Sequence, residues 1–258
     1  MARLLVVTFL LGLGCPAALW AQGGPPYYTN DPATTGNRHW EINVAYMPFL
    51  FRGSSTSHTP DVDINYGIGD RIQLTYESAW LRVTEGDVPK YGLGQDEFGF
   101  KWKFYDSEQK GFAMSSFPQL SINNPNDSAQ RGITPEGASL ILPVEFSKTL
   151  GSIHLNLELG YEAVQRGPDG WLAGVVAGRD LSGKLEVDAE LYGLGAFEGS
   201  GNQQTIEAGA RYKLGPPMVA LLMAGRSVAP ARNKQPSFVG YFGVQFAVPP
   251  KSFDTREK

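Results

Sequence analysis

The feature that most constrains this chain is a period-two alternation, repeated along most of its length, in which one phase is apolar and the other charged or amide-bearing. Trp40-Glu41-Ile42-Asn43-Val44-Ala45-Tyr46 and Asp61-Val62-Asp63-Ile64-Asn65-Tyr66 show it clearly. Side chains of an extended strand alternate between faces, so each such segment is a strand with one greasy and one hydrophilic side. Twelve segments qualify: 38–51, 59–67, 70–82, 95–105, 111–122, 137–148, 152–164, 170–181, 184–195, 203–214, 217–228 and 236–248. Many are ten to thirteen residues long. Soluble strands average about five or six residues, whereas a tilted strand crossing a bilayer needs about nine to eleven.

The apolar phase holds Ile72, Leu74 and Tyr76, then Phe98, Phe100, Trp102 and Phe104, then Ile153, Leu155, Leu157, Leu159 and Tyr161. None of these positions is charged. The opposite phase holds Glu41, Asn43, Asp61, Asp63, Asn65, Arg71, Glu77, Lys101, Lys103, His154, Glu158, Glu186, Asp188, Glu190, Glu207 and Arg211. A basic residue facing lipid costs about 2–4 kcal/mol at mid-bilayer, which accounts for such sorting. Those sixteen residues are the candidates for a polar lumen. Trp40, Tyr46, Tyr66, Tyr76, Trp80, Tyr161, Trp171 and Tyr212 lie toward strand ends, where amphipathic rings suit a membrane interface. Two strands resist phasing. In 217–228 neither face is polar, and in 170–181 Arg179 shares a phase with Trp171 and Val175.

The connections sort by length. The odd-numbered ones (52–58, 83–94, 123–136, 165–169, 196–202, 229–235) are mostly long, and the even-numbered ones (68–69, 106–110, 149–151, 182–183, 215–216) are short and rich in turn formers. Long loops on one rim and short turns on the other are the build of an outer-membrane barrel.

The start reads as a secretion signal. Arg3 supplies the positive region, Leu4 to Leu13 the apolar core, and Ala17-Ala18-Leu19-Trp20-Ala21 a cleavage site. The expected organisation is therefore a signal peptide over 1–21, an N-terminal periplasmic or plug segment over 22–37, a transmembrane barrel over 38–248 and a tail over 249–258. The one cysteine, Cys15, lies in the signal, so a disulfide framework and thiolate zinc sites are excluded from the remainder. No later segment has the length and apolarity of a transmembrane helix, so strands closed on themselves are the way into a membrane. The net charge of −4, one unit more negative without Arg3, provides no basic field for nucleic acid.

Chemical motifs are sparse. His154 and Asn156 share a face, which suits two members of a hydrolytic set, but no serine of argued geometry accompanies them; Ser147 and Ser152 are nearest. The three histidines are far apart, and Asp61-x-Asp63-x-Asn65 lacks the glycine of a calcium loop and alternates as a strand. Gly92-Leu93-Gly94 and Gly193-Leu194-Gly195 precede no helix and mark strand ends or bends. No metal, cofactor or catalytic residue is expected. Lys184-x-Glu186-x-Asp188-x-Glu190 fits either an ion-selecting stripe or an ordinary hydrated interior.

Several stretches resemble the outer-membrane family named for the MetA pathway of phenol degradation, a transporter family. They are Pro25-Pro26-Tyr27-Tyr28-Thr29-Asn30-Asp31-Pro32, His39-Trp40-Glu41, Pro60 to Gly67, Gly92 to Lys101 and Leu142 to Lys148. The resemblance implies an outer-membrane barrel passing small, aromatic compounds, and no catalytic residue comes with it.

The reading is an all-β, single antiparallel up-and-down transmembrane barrel of about twelve strands behind a signal peptide. Its expected partners are outer-membrane lipid and a small solute passing through or binding in a narrow polar lumen. Three alternatives stand beside it: a membrane-embedded lipid hydrolase with His154 as base, a structural or adhesion barrel using loops 83–94 and 123–136, and a soluble β-sandwich.

Overall fold

A computed structural model describes residues 24–198, 202–228 and 235–250. The signal segment 1–21 with Cys15, and residues 251–258 of the tail, lie outside the described residues.

The paired segments are β1 (Trp40–Phe51), β2 (Ser54–Ile68), β3 (Ile72–Glu85), β4 (Val88–Leu93), β5 (Asp96–Ser107), β6 (Phe112–Ser116), β7 (Gln119–Ile122), β8 (Ser139–Leu150), β9 (Ile153–Val164), β10 (Gly170–Asp180), β11 (Leu185–Ala196), β12 (Gln203–Gly215), β13 (Met218–Ser227) and β14 (Phe238–Val248). Segments adjacent in the chain pair antiparallel, except β4 with β5 and β6 with β7, and β1 pairs with β14 from Trp40↔Val248 to Leu50↔Phe238. That last ladder closes the sheet into a barrel, although β4 is paired on one side alone.

Fourteen segments make twelve staves. β4 and β5 lie end to end against β3, and β6 and β7 lie end to end between β5 and β8. The first break falls at Gly94-Gln95, where the Gly94 N–H turns aside to the Ala79 carbonyl at 2.7 Å. The second falls at Phe117-Pro118; proline has no N–H to give the ladder, and its carbonyl accepts from Phe100 N at 2.9 Å.

Two expected long loops are not loops. Ser54–Ile68 is one strand with an irregularity at Thr59-Pro60, so the first connection shrinks to residues 52–53, and Val88–Leu93 extends the next hairpin up to a turn at 86–87. Above the membrane both faces of a hairpin meet water, so the greasy phase that reveals a strand is absent there while the backbone still pairs. Residues 123–138 remain a long connection between β7 and β8.

The outward phase is exposed. Leu74, Tyr76, Phe98, Phe100, Trp102, Leu157 and Leu159 are between 38% and 52% accessible. A continuous belt of such residues has no place on a water-soluble monomer, and hydrocarbon is the medium that matches it. The inward phase is polar on most staves, with Asn43, Asp63, Asn65, Lys101, Glu145, Asn156, Glu158, Glu190, Glu207 and Arg211 all buried.

The two ambiguous strands settle by what lies inside. On β13, Leu221 and Met223 point inward and are fully buried, while Met218 and Leu222 face out. On β10, Leu172 and Val176 are inward, and Arg179 sits exposed next to the short turn that follows the strand. Their inner neighbours are Tyr27, Val239 and Tyr241, so this part of the interior is an apolar patch.

Candidate functional site

The interior is occupied by residues 24–38, which form no strand but run up into the lumen ahead of β1. The barrel wall holds this segment by its backbone. Glu190 on β11 accepts from Tyr28 N at 3.1 Å and Thr29 N at 2.6 Å. Glu158 on β9 accepts from Asn30 N at 2.8 Å. From the other side, Lys101 Nζ donates to the Asp31 carbonyl at 2.6 Å. Arg211 donates to the Gly24 carbonyl at 2.9 Å and the Pro25 carbonyl at 3.2 Å. Gln73 Oε1 accepts from Thr35 N at 3.1 Å. Four of these wall groups are ionisable, and hydrogen bonds to charged groups contribute about 1.5–3 kcal/mol each.

The fit is steric as well as polar. A side chain added at inward-facing Gly174 would collide with the Thr29 hydroxyl, and one at Gly67 with the carbonyl of Gly36. Tyr27 completes the anchor, its hydroxyl donating to the Asp188 carbonyl at 3.2 Å and its ring lying under the Arg211 guanidinium at 5.3 Å. Burial, followed by the charge of Asp188, raises the Tyr27 phenol well above its ordinary range, so it stays a donor.

Beside this segment lies a cavity of about 300 Å³. Of the sequence candidates, Glu41, Asp61, Asp63, Asn65, Glu77, Lys101, Glu158 and Arg211 line it. Asn43 stands behind them, donating to Asp63 at 2.9 Å, and Glu186 and Asp188 flank Arg211 at 3.5 and 3.3 Å. Glu190 is committed to the N-terminal segment, and Glu207 is buried on β12. Arg71, Lys103 and His154 lie apart. Arg71 is exposed beside the turn before β3, Lys103 pairs with Asp106 at 2.7 Å near the end of β5, and His154 is the second residue of β9, next to the turn that follows β8.

His154 does meet a hydroxyl and a carboxylate there: Thr149 Oγ1 at 3.4 Å from Nδ1 and Asp180 Oδ2 at 3.7 Å from Nε2. Both separations exceed the roughly 2.6–3.2 Å of a working proton relay. Ser147, buried on β8, lies opposite Asn156 rather than His154. The Asp61-x-Asp63-x-Asn65 run is straight strand, with Asp63 taking amide hydrogen bonds from Asn43 and Asn65.

The lining extends beyond those sixteen candidates, to polar-phase Gln73 and Glu97 and to aromatic residues. Glu97, Gln73, Phe117, Tyr192 and Tyr241 all border the cavity. Glu145, fully buried, accepts from Ser115 and pairs with Lys101 at 3.5 Å. Phase would have found most of them: Glu145 opposes Val144 and Phe146, and Tyr192 opposes Leu191. Phe117 carries no such signal, because it sits at the break in its stave, its ring 4.7 Å from Lys101 Nζ.

No protein-family model matches this chain, and no curated protein matches it by sequence. Solved structures do match it in shape. An outer membrane channel from Pseudomonas putida F1 aligns over 88% of this chain and 100% of its own, with a TM-score of 0.67 at 12% identity. The KdgM porin in complex with oligogalacturonate and the NanC porin each align over 80% of this chain and 98% of theirs, with a TM-score of 0.57 at 10% and 7% identity. The fold is that of bacterial outer-membrane barrels. At these identities the likeness is one of architecture.

Proposed function

We propose that this chain is a passive channel of the bacterial outer membrane, delivered there by removal of residues 1–21, and that residues 24–38 close its lumen at rest. One observation carries the reading: the barrel interior is built of ionisable side chains around a cavity, and the segment that blocks it is tethered by hydrogen bonds instead of being woven into the sheet. A barrel evolved only as a scaffold would fill that space with apolar side chains, because burying so many charges is costly. Architectural kinship with channels and porins supports the same reading.

The solute is small. The resemblance to the phenol-degradation family suggests an aromatic compound, and Tyr28, Phe117, Tyr192 and Tyr241 in the cavity wall offer ring surfaces for one. Deleting residues 24–37 and recording single channels in planar bilayers tests the proposal. Conductance should rise several-fold over the full chain; equal conductance in the two proteins would refute closure by this segment.

A further inference from the structure

A second cavity, of about 220 Å³, lies toward the long-loop rim. Its roof is the 123–138 connection, whose Ile133 is buried against Ala79 and Leu81 of β3. Asp61, Glu77 and Glu97 line both this outer cavity and the inner one, so the two chambers meet at three carboxylates.

The sheet register makes the meeting point a row of like charges. Asp63 on β2 lies opposite Glu77 on β3, and Glu77 lies opposite Glu97 on β5. Asp61 stands one diagonal step from Glu77, opposite Ala79. Like charges directly opposite destabilise a sheet. Ordinary interiors relieve this with a cation on the next strand, yet among the described residues no lysine or arginine forms an ion pair with Asp61, Asp63, Glu77 or Glu97. Lys101 is engaged by Glu145 and the Asp31 carbonyl, and Arg211 by Glu186, Asp188 and the N-terminal segment. The row instead draws on amide, hydroxyl and imidazole groups. Gln119 and Ser121 donate to Glu97, Asn43 and Asn65 donate to Asp63, and His58 holds one oxygen of Asp61 at 2.8 Å.

The inner chamber adds an independent observation. Thr35 and Tyr28 line it, and each carries a hydroxyl that is buried with no hydrogen-bond partner, Thr35 being only 8% exposed. Phe117, Leu172, Tyr192 and Tyr241 also line the inner chamber. The site thus presents negative charge at its mouth, ring and aliphatic surface within, and unsatisfied hydroxyls on the blocking segment.

From this geometry we infer that the Asp61–Glu77–Glu97 junction is a cation-selecting constriction, and that the solute class it admits is a small organic cation with an apolar or aromatic body. This deepens the channel reading and rests on it. Acids crowded into a narrow, low-dielectric passage concentrate cations and repel anions, by roughly tenfold or more.

The test uses the mature full-length chain in planar bilayers under a KCl gradient, followed by addition of phenethylammonium or 3-phenylpropanoate, which share a ring and chain length but differ in charge. The reversal potential should show potassium favoured over chloride by roughly tenfold or more, and phenethylammonium alone should block or carry current. In a Glu77→Gln/Glu97→Gln double variant the preference should fall toward unity, whereas Glu136→Gln, on the exposed 123–138 connection, should leave it intact. Asp61→Asn serves as a second probe if the double variant does not insert. Openings with no cation preference, or equal action of the two phenyl compounds, would overturn the inference while leaving the channel standing. Absence of openings in both the full chain and the 24–37 deletion would overturn the channel itself.

Discussion

Glu190 is the best place to test how the lumen is closed. It is almost wholly buried, and its two oxygens separately accept the backbone N–H groups of Tyr28 and Thr29 at 3.1 and 2.6 Å. Glu190→Ala removes both. At about 1.5–3 kcal/mol for a hydrogen bond to a charged group, the loss is about 3–6 kcal/mol. With about 1.4 kcal/mol per factor of ten, the docked-to-undocked ratio of this stretch should fall by about 10² to 10⁴. Glu190→Gln keeps one carbonyl acceptor and should fall between the two. Two readouts apply: hydrogen exchange at the Tyr28 and Thr29 amides in detergent micelles, and open probability in bilayers. Both should rise for the alanine variant while the unboiled protein still migrates as a folded barrel on a gel. Unchanged exchange with unchanged open probability would show that the hydrogen bonds do not hold the segment, and the closure argument would fail.

Other expectations follow from single contacts. Gly174→Val drives a branched side chain into Thr29 and should raise open probability without loss of folding, as read by the same gel shift. Leu157→Arg places a charge on the exposed apolar belt and should cost about 2–4 kcal/mol of folding free energy in lipid vesicles, measured by denaturant titration. Ile133→Asp removes the apolar foot of the 123–138 connection on Ala79 and Leu81 and should speed its proteolysis on intact cells. Asp169, just before β10, accepts from the Tyr161 hydroxyl and from Val164 N, which lowers its pKa below the ordinary carboxylate value. A depressed folded-state value means the link is fully present above the unfolded pKa and is lost as pH falls through the folded one. Tyr161→Phe should return the Asp169 titration, followed by NMR, toward the ordinary range.

How much of this was readable beforehand differs from element to element. The staves were legible because a barrel crossing lipid has water on one side and hydrocarbon on the other, and period two records that contrast residue by residue. Asp61, Asp63, Glu77 and Glu158 followed from phase alone. The hairpin tips over Ser54–His58 and Val88–Leu93 were not legible, since both faces are wet there and alternation vanishes. β13 was ambiguous for the converse reason: Leu221 and Met223 meet Tyr27 and Tyr241, so its inner face is as apolar as its outer one. The path of residues 24–38 through the lumen left no periodic trace either, because its polar contacts are made through backbone N–H and carbonyl groups that every residue carries. Glu190, Glu158, Lys101 and Arg211 stood out as inward charges, yet nothing in their spacing said that they grip a piece of the same chain.

The central claim is that lipid, not protein or water, covers the outer face of the barrel. Nitroxide labels at Leu74 and Leu157 in the full chain reconstituted into phospholipid vesicles address it most directly. The account predicts strong relaxation by oxygen dissolved in the bilayer and weak relaxation by an aqueous nickel chelate at both sites. Strong relaxation by the nickel chelate with little response to oxygen would contradict it.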